Sequence, residues 1–429
     1  MLYAGARPEK TYNPPAPFKA DMKVLYLAQH QRFSGDHAGF AHVYNFTKAL
    51  SALGPKVVLA ARPPGKGSPT PEAGPDLELR LVEWELEYPL PFGPLPRLRP
   101  QLDWAEPARA LRWVKRVVKE DGIDIIQERH EMRLDLGPLS TRFLGVPSVL
   151  EVNSPFIEEA FPEGSFSFRS RNFFRRLGFD SASAIVVQTA LLKKIISRHT
   201  GTPVHVIPNG ADPALFRPGA GSASLRKKLG LGGSVVGFAG AFHPWHGAPD
   251  LVEAFARLKR PGAQLLMLGG GGDDLEKCRV LARKSGIEDR VVFTGKVPYA
   301  ELPGYLDLCD VLAAPFSPGK DEKRAAVFER YGLWWCPLKL FEYMAMGKPV
   351  VASSVGVIPG YVEGAGLLYP EGDPAALAER LEELLADGAK RERLGKAGRK
   401  LVEEKYNWTA VARQTLRLYE AILGAPKTV

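Results

Sequence analysis

The sequence predicts an α/β protein made of two doubly wound parallel-sheet domains in tandem, with a cleft between them. Three observations carry that expectation. The 429 residues are too many for one hydrophobic core and suit two domains of about 200 residues each. Short apolar runs alternate with amphipathic helical stretches in two successive series. Between the series, residues Val204 to Asp212 (VHVIPNGAD) run extended into a tight turn, which makes a natural boundary.

Composition narrows the function classes. Hydrophobic residues make up 45% and charged residues 24%, as in a soluble globular protein. No run of about 18 apolar residues occurs, so no membrane-spanning helix is expected. Residues 1–20 lack a signal peptide's apolar core and read as a flexible, proline-rich extension. The three cysteines, Cys278, Cys309 and Cys336, have no metal-ligand spacing and fit a reducing cytoplasm. A net charge of +9 favours acidic partners such as nucleotides or anionic lipid headgroups. The basic residues are spread through both halves, so nucleic acid ranks below a phosphorylated small substrate.

In the first series, Met22–Ala28 reads as a buried strand, followed by a loop holding Ser34, Gly35 and Gly39 and by a helix through Val43, Phe46, Leu50 and Leu53. Lys56–Ala61 is the next strand, completing a βαβ unit in which Gly39 lets backbone approach a phosphate or a sugar. The spacing is not G-x-G-x-x-G, so a redox dinucleotide gains little support. Residues 62–79, rich in proline and glycine, read as a surface loop. The apolar and basic stretch 88–100 fits either an acceptor or membrane-surface contact or a packed connector.

A helix over 105–120 leads to the strand Ile123–Gln127, with Glu128, Arg129 and His130 at its carboxyl end. Ser148–Val152 is another strand, ending at Asn153 and Ser154. Ligands of open α/β sheets collect beyond the carboxyl ends of strands, which makes Glu128, Arg129 and Asn153 candidates for lining a cleft. A surface ion pair and a turn asparagine fit the same spacing. The stretch Arg169–Arg176 (RSRNFFRR) loosely suits single-strand stacking, but an amphipathic helix with a solvated basic face fits better. A strand at Ala184–Val187 and a helix over 189–199 close this half.

The second series opens with the strand Ser234–Ala239, which ends in Gly240 and a run through Pro244-Trp245-His246-Gly247. A helix from Pro249 to Leu258, the strand Gln264–Leu268, four glycines (Gly269–Gly272) and a helix to Lys284 follow. Strands at Val291–Gly295, Val311–Pro315 and Val350–Ser353 continue the sheet. Before the last lies the stretch on which the reading turns, Pro337 to Val350 (PLKLFEYMAMGKPV). It reads as a helix entered through Pro337 and stopped at Gly347-Lys348-Pro349. Leu340, Phe341, Met344 and Ala345 share an apolar face and Glu342 lies off it. A helix start with a carboxylate beside it suits a nucleotide, with amides for diphosphate and the carboxylate for ribose hydroxyls. Taken alone, the stretch fits an ordinary amphipathic helix with one solvated glutamate better; the rest of the chain changes those odds.

Taken together, these runs resemble glycosyltransferase family 4, retaining enzymes with two facing Rossmann-like domains (GT-B) and an interdomain cleft. The matching runs are Val206–Asp212, Gly237–Gly240 with Pro244–Gly247, Val292–Gly295, Leu338–Ala352 and Gly366–Leu368. Tyr406-Asn407-Trp408 resembles the entry to the last helices, which in this family cross back to the first domain. The Pro-Trp-His-Gly run, with Glu128-Arg129 and Leu150–Asn153, is similar to one subgroup. The implied plan is an extension (1–20), an acceptor domain (21–205), a donor domain (206–404) and a crossing-back helix (405–429).

The resemblance carries roles residue by residue. Glu342 matches the glutamate that holds the donor's ribose. Lys296 and Val297 fall where backbone receives the base. The amides of Leu340 and Phe341, and the loop at Gly240 and Ala241, would face the diphosphate, and Gly39 would approach it from the first domain. There are departures: Trp334 stands where the family's sugar-holding glutamate falls, Ala241 replaces an arginine, His246 a lysine, and Asn153 a cleft histidine. Lys339 or His246 would then meet the diphosphate charge. The expected function is retaining transfer of a hexose from a nucleotide-diphosphate sugar to a hydroxyl acceptor, without cofactor or metal, in the cytoplasm and with possible peripheral membrane contact. A nucleotide-sugar epimerase using Glu128 and Glu151 is the alternative, and a non-catalytic binding module a third reading.

Overall fold

The computed structural model describes residues 21–32, 38–64, 77–83, 105–131, 134–161, 164–272 and 274–424. The extension 1–20, the loop at Ser34 and Gly35, most of the 62–79 loop and the 88–100 stretch lie outside the described residues.

Two parallel sheets organise the chain. The first has β1 (Lys23–Arg32), β2 (Lys56–Arg62), β3 (Leu77–Leu81), β4 (Ile125–Arg129), β5 (Ser148–Val152), β6 (Ala184–Val187) and β7 (Val204–Val206). Its spatial order is β3-β2-β1-β4-β5-β6-β7. The second has β8 (Val235–Ala239), β9 (Gln264–Leu268), β10 (Val291–Gly295), β11 (Val311–Ala314), β12 (Val350–Ser353) and β13 (Gly366–Tyr369), ordered β10-β9-β8-β11-β12-β13. Central strands are buried on both faces, as β8 and β12 show along their whole length, because helices cover both sides of a parallel sheet. In each order the chain winds outward from its first strand and then reverses. The two switch points fall between β1 and β4 and between β8 and β11, where side chains and ligands meet strand ends.

Two elements differ from the sequence reading. Leu77–Leu81 is an edge strand parallel to β2, not loop; its Leu-Glu-Leu-Arg-Leu alternation was masked by the prolines and glycines before it. The strand expected at Ile123–Gln127 is shifted toward the carboxyl end and runs through Arg129, so Glu128 and Arg129 lie within the ladder, opposite Leu150 and Glu151. Successive side chains then point to opposite faces, and neither is a free strand-end group.

The last helix, Trp408–Gly424, packs on the first domain rather than the second. Trp408, Val411, Leu416 and Tyr419 share a core with Val24, Tyr26, Phe40 and Phe46. The two domains also meet directly. Thr189 Oγ1 donates to the Trp334 carbonyl at 2.9 Å, and Trp334 Nε1 donates to Ser154 Oγ at 3.2 Å.

Candidate functional site

The site is built at the β8/β11 switch point. The helix Leu338–Ala345 starts after Pro337, whose fixed φ of −76° suits the position before a first turn. Leu340, Phe341, Tyr343, Met344 and Ala345 are buried, and Phe341 stacks on Tyr406 with ring centroids 4.7 Å apart. Leu340, Phe341 and Met344 each contribute about 1.5–3 kcal/mol of burial, so the helix is held by packing from most sides. Glu342 is drawn into this environment and is only 7% exposed. It is not the solvated glutamate that an amphipathic reading allows.

Two polar groups converge where β8 ends. A Cβ placed on Gly240 would lie 2.8 Å from Lys339 Nζ, 3.0 Å from Phe238 Cζ and 3.3 Å from His246 Nδ1. A side chain there would have to displace the lysine ammonium and crowd the ring. Lys339 Nζ is buried without a hydrogen-bond partner and lies over the rings of Phe238 and Phe316, 4.7 and 5.3 Å from their centroids. Burial pushes its ammonium down to about 7, against a smaller upward pull from Glu342. His246 Nδ1 is likewise buried and unpartnered. Burial first, then the charges of Lys339 and His243, hold this imidazole well below its usual value. Gly247, which follows it, has φ 63°, and a Cβ there would strike the Pro315 carbonyl oxygen at 1.7 Å. That contact explains why the run ends in glycine and fixes His246 beside Gly240.

One turn along the helix from Lys339, burial pushes the Glu342 carboxyl up to about 7, with the Tyr299 hydrogen bond and the Lys339 charge working against it. Tyr299 Oη donates to Glu342 Oε1 at 3.0 Å, and Asn45 Nδ2 of the first domain reaches the same Tyr299 oxygen at 3.5 Å. The site thus offers a buried cation, a neutral imidazole and a buried carboxylate along one wall. By its chemistry an anionic group such as a diphosphate suits the first two, and a diol the third.

The other expected residues are placed as follows. Gly39 is the second residue of the helix Ala38–Ser51, which also carries Asn45 to Tyr299. Lys296 and Val297 follow β10, with Tyr299 two residues on. The Gly240 N–H donates to the Leu268 carbonyl at 3.0 Å and the Leu340 N–H to the Pro337 carbonyl at 3.3 Å, so neither amide is open to a phosphate. What Gly240 supplies is space. Ala241 follows it, half-buried, with its carbonyl against Gly272. The side chain of Phe341 is core and leaves only its backbone available. Asn153 ends β5, and its Nδ2 is buried and unpartnered, one residue from the Ser154–Trp334 contact.

Glu128 and Arg129 are both engaged by partners within the first domain. Glu128 is fully buried and accepts from the Gly137 N–H and from Gln29 Nε2, each at 2.6 Å, so it holds the start of the helix Leu136–Leu144. Burial raises its carboxyl well above the usual range. Arg129 Nη1 donates to Glu151 Oε1 at 3.0 Å. Glu151 also accepts from Tyr26 at 2.8 Å and Gln127 at 3.1 Å and pairs with His42 at 2.8 Å. Burial would raise Glu151, but His42, Arg129 and Tyr26 outweigh it and hold the carboxyl well below the usual range. The two carboxylates an epimerase would need are therefore structural. Trp334 is fully buried, its ring stacked on Phe328 at 5.0 Å. It braces the two domains instead of facing a sugar.

Sequence reasoning missed Tyr299 and Asn45. Asn45 lies on the Gly39 helix among Phe40, Val43 and Phe46, and a polar group on an apolar face was the available signal. Tyr299 had none. Among the described residues no cluster of three or more His, Cys, Asp or Glu could hold a metal ion.

Comparison with known proteins decides the family. Residues 40–215 match the family described as Glycosyltransferase Family 4, and residues 233–387 match Glycosyl transferases group 1. The chain belongs to glycosyltransferase family 4.

Among curated relatives of this family 4 chain is a D-inositol 3-phosphate glycosyltransferase of Corynebacterium jeikeium, 30% identical over 59% of this chain and 61% of that one. A GDP-mannose-dependent alpha-(1-6)-phosphatidylinositol monomannoside mannosyltransferase of Mycobacterium tuberculosis is 32% identical over 57% of this chain and 63% of its own length. The chain thus matches less than two thirds of the length of these relatives. The fold is shared with sucrose-phosphate synthase of Thermosynechococcus elongatus (TM-score 0.69, 24% identity, 94% of this chain and 100% of that one). It is shared too with Anabaena Alr3699/HepE in complex with UDP-glucose (TM-score 0.66, 19% identity, 93% and 100%).

Proposed function

We propose that this chain transfers a hexosyl group from a nucleotide-diphosphate sugar to a hydroxyl acceptor, with retention of anomeric configuration. The observation that carries the reading is the convergence of Lys339 Nζ and His246 Nδ1 on Gly240, with Glu342 one turn along the Lys339 helix. The difficult step is departure of the diphosphate while positive charge builds at the anomeric carbon. A preorganised ammonium, already desolvated and unpartnered, stabilises that leaving charge without reorganising, and one such group is worth about 3 kcal/mol of barrier. It takes the role that a divalent cation fills in other sites, so we read the transfer as metal-independent. Glu342 grips the ribose, and backbone after β10, at Lys296 and Val297, receives the base. Closure of the domains across the cleft would keep water from the donor.

The GDP-mannose-dependent relative and the UDP-glucose complex make GDP-mannose and UDP-glucose the first donors to try. The three cysteines are all free and buried, which suits a reducing cytoplasm. No helix among the described residues is long and apolar enough to cross a membrane, and we read any membrane contact as peripheral. The test is release of nucleoside diphosphate from UDP- and GDP-sugars in the presence of sugar, inositol and lipid-linked hydroxyl acceptors. Acceptor-dependent release is expected, with product anomeric configuration read by NMR. No release from any donor, or an inverted product, would overturn the reading.

A further inference from the structure

Of the exposed large hydrophobic side chains among the described residues, three stand on one helix, Phe166–Phe179. Phe166 is 68% exposed, Phe173 67% and Leu177 43%. Their spacings of seven and four residues place them on a single face. Arg169 and Arg176 are exposed on the same side, and no acidic residue occurs between 166 and 179.

The rotation of the helix is set from its other face. Phe168 and Phe179 are buried in the domain, and Arg175 makes two hydrogen bonds to Glu158, at 2.7 and 2.8 Å. Ser165 Oγ accepts from the Phe168 N–H and fixes where the helix begins. The rings are therefore held outward by a buried ion pair and cannot roll into the core. The sequence reading expected a solvated basic face here; the structure adds a row of large apolar groups to it, which water does not favour.

We infer that the Phe166–Phe179 helix is a docking face for an anionic membrane surface. It would lie in the headgroup plane, with Phe166, Phe173 and Leu177 in the acyl boundary and Arg169 and Arg176 on lipid phosphates. A helix of this length is about 21 Å long. One face of it falls well short of the roughly 800 Å² that a stable protein partner buries on each side, whereas a bilayer needs no shape match. Charge complementarity selects anionic over zwitterionic lipid. Through Glu158 the helix is tied to the short helix Phe156–Ala160, which directly follows Asn153 and Ser154 at the domain contact. A membrane-borne acceptor would thus be presented beside the cleft. This deepens the peripheral reading above, but its test does not require transfer to occur.

The test is co-sedimentation of the full chain with vesicles of phosphatidylcholine alone and of phosphatidylcholine mixed with phosphatidylglycerol. Binding to the mixed vesicles only is expected. Phe166→Ser with Phe173→Ser should lower the partition coefficient at least about tenfold. Arg169→Gln with Arg176→Gln should lower it several-fold and weaken its salt dependence. Because these side chains are exposed, both variants should keep the wild-type melting point and the nucleotide affinity. Equal binding to phosphatidylcholine, no binding to either vesicle, or undiminished binding by the Phe166/Phe173 variant would overturn the inference. So would concentration-dependent self-association in sedimentation velocity that the Phe166/Phe173 variant abolishes, which would assign the face to a second copy.

Discussion

Tyr299 donates its hydroxyl proton to Glu342 at 3.0 Å, Tyr299 lying just past β10 and Glu342 on the helix Leu338–Ala345 that precedes β12. The bond holds the carboxylate against the cost of its burial, and Asn45 Nδ2 of the first domain reaches the Tyr299 hydroxyl oxygen. Tyr299 is therefore a positioning residue for the group that we read as the ribose contact. Tyr299→Phe should weaken nucleotide binding by about 1–2 kcal/mol, and Glu342→Ala by about 1.5–3 kcal/mol. Calorimetric titration with UDP and GDP checks both, and unchanged affinity in the Glu342 variant would refute the ribose contact.

Nucleotide affinity should peak near neutral pH. Glu342 sits at about 7 when free and must be ionised to accept hydroxyls, so affinity falls as pH drops below that value. Lys339, also about 7, must be charged to meet a diphosphate, so affinity falls as pH rises above it. Binding at pH 8 should take up close to one proton, read from heats in buffers of different ionisation enthalpy. Lys339→Met should abolish that uptake.

The same lysine should cost stability. Its proton is held at about 7 in the fold and at 10.5 ordinarily, so the penalty is complete below about pH 7 and is relieved as pH climbs toward 10.5. Lys339→Met should raise stability at pH 6 by about 1–3 kcal/mol, less above pH 9, while weakening diphosphate binding at least about tenfold. Denaturant melts at the two pH values check it.

Trp334 should behave as a brace. Trp334→Ala should cost about 3–5 kcal/mol, and Trp334→Glu should destabilise without gaining turnover, because its ring lies against Phe328 and Ser154. A Trp334→Glu variant with raised kcat would contradict this placement.

Glu128 should prove structural too. Glu128→Ala leaves the Gly137 N–H and Gln29 without their acceptor and should cost about 2–3 kcal/mol. The kcat/KM of the folded fraction should stay within about threefold, since the residue touches no cleft group. A loss of turnover with unchanged stability would reverse the assignment.

Much of the molecule was legible in residue order alone. Apolar runs marked the central strands of both sheets because parallel strands are buried on both faces, and Pro337 and Gly347 punctuated the helix that carries Lys339 and Glu342. What residue order could not decide was where the polar groups point. Glu128 and Arg129 looked like strand-end ligands until the ladder ran through them, and a shift of one residue moves a side chain to the other face. The pairing of Tyr299 with Glu342 and Asn45, and the outward rings of Phe166 and Phe173, depend on contacts between elements far apart in the chain. Local periodicity reports which face of an element is apolar; only packing against the rest of the fold sets which atoms meet and which stay in water.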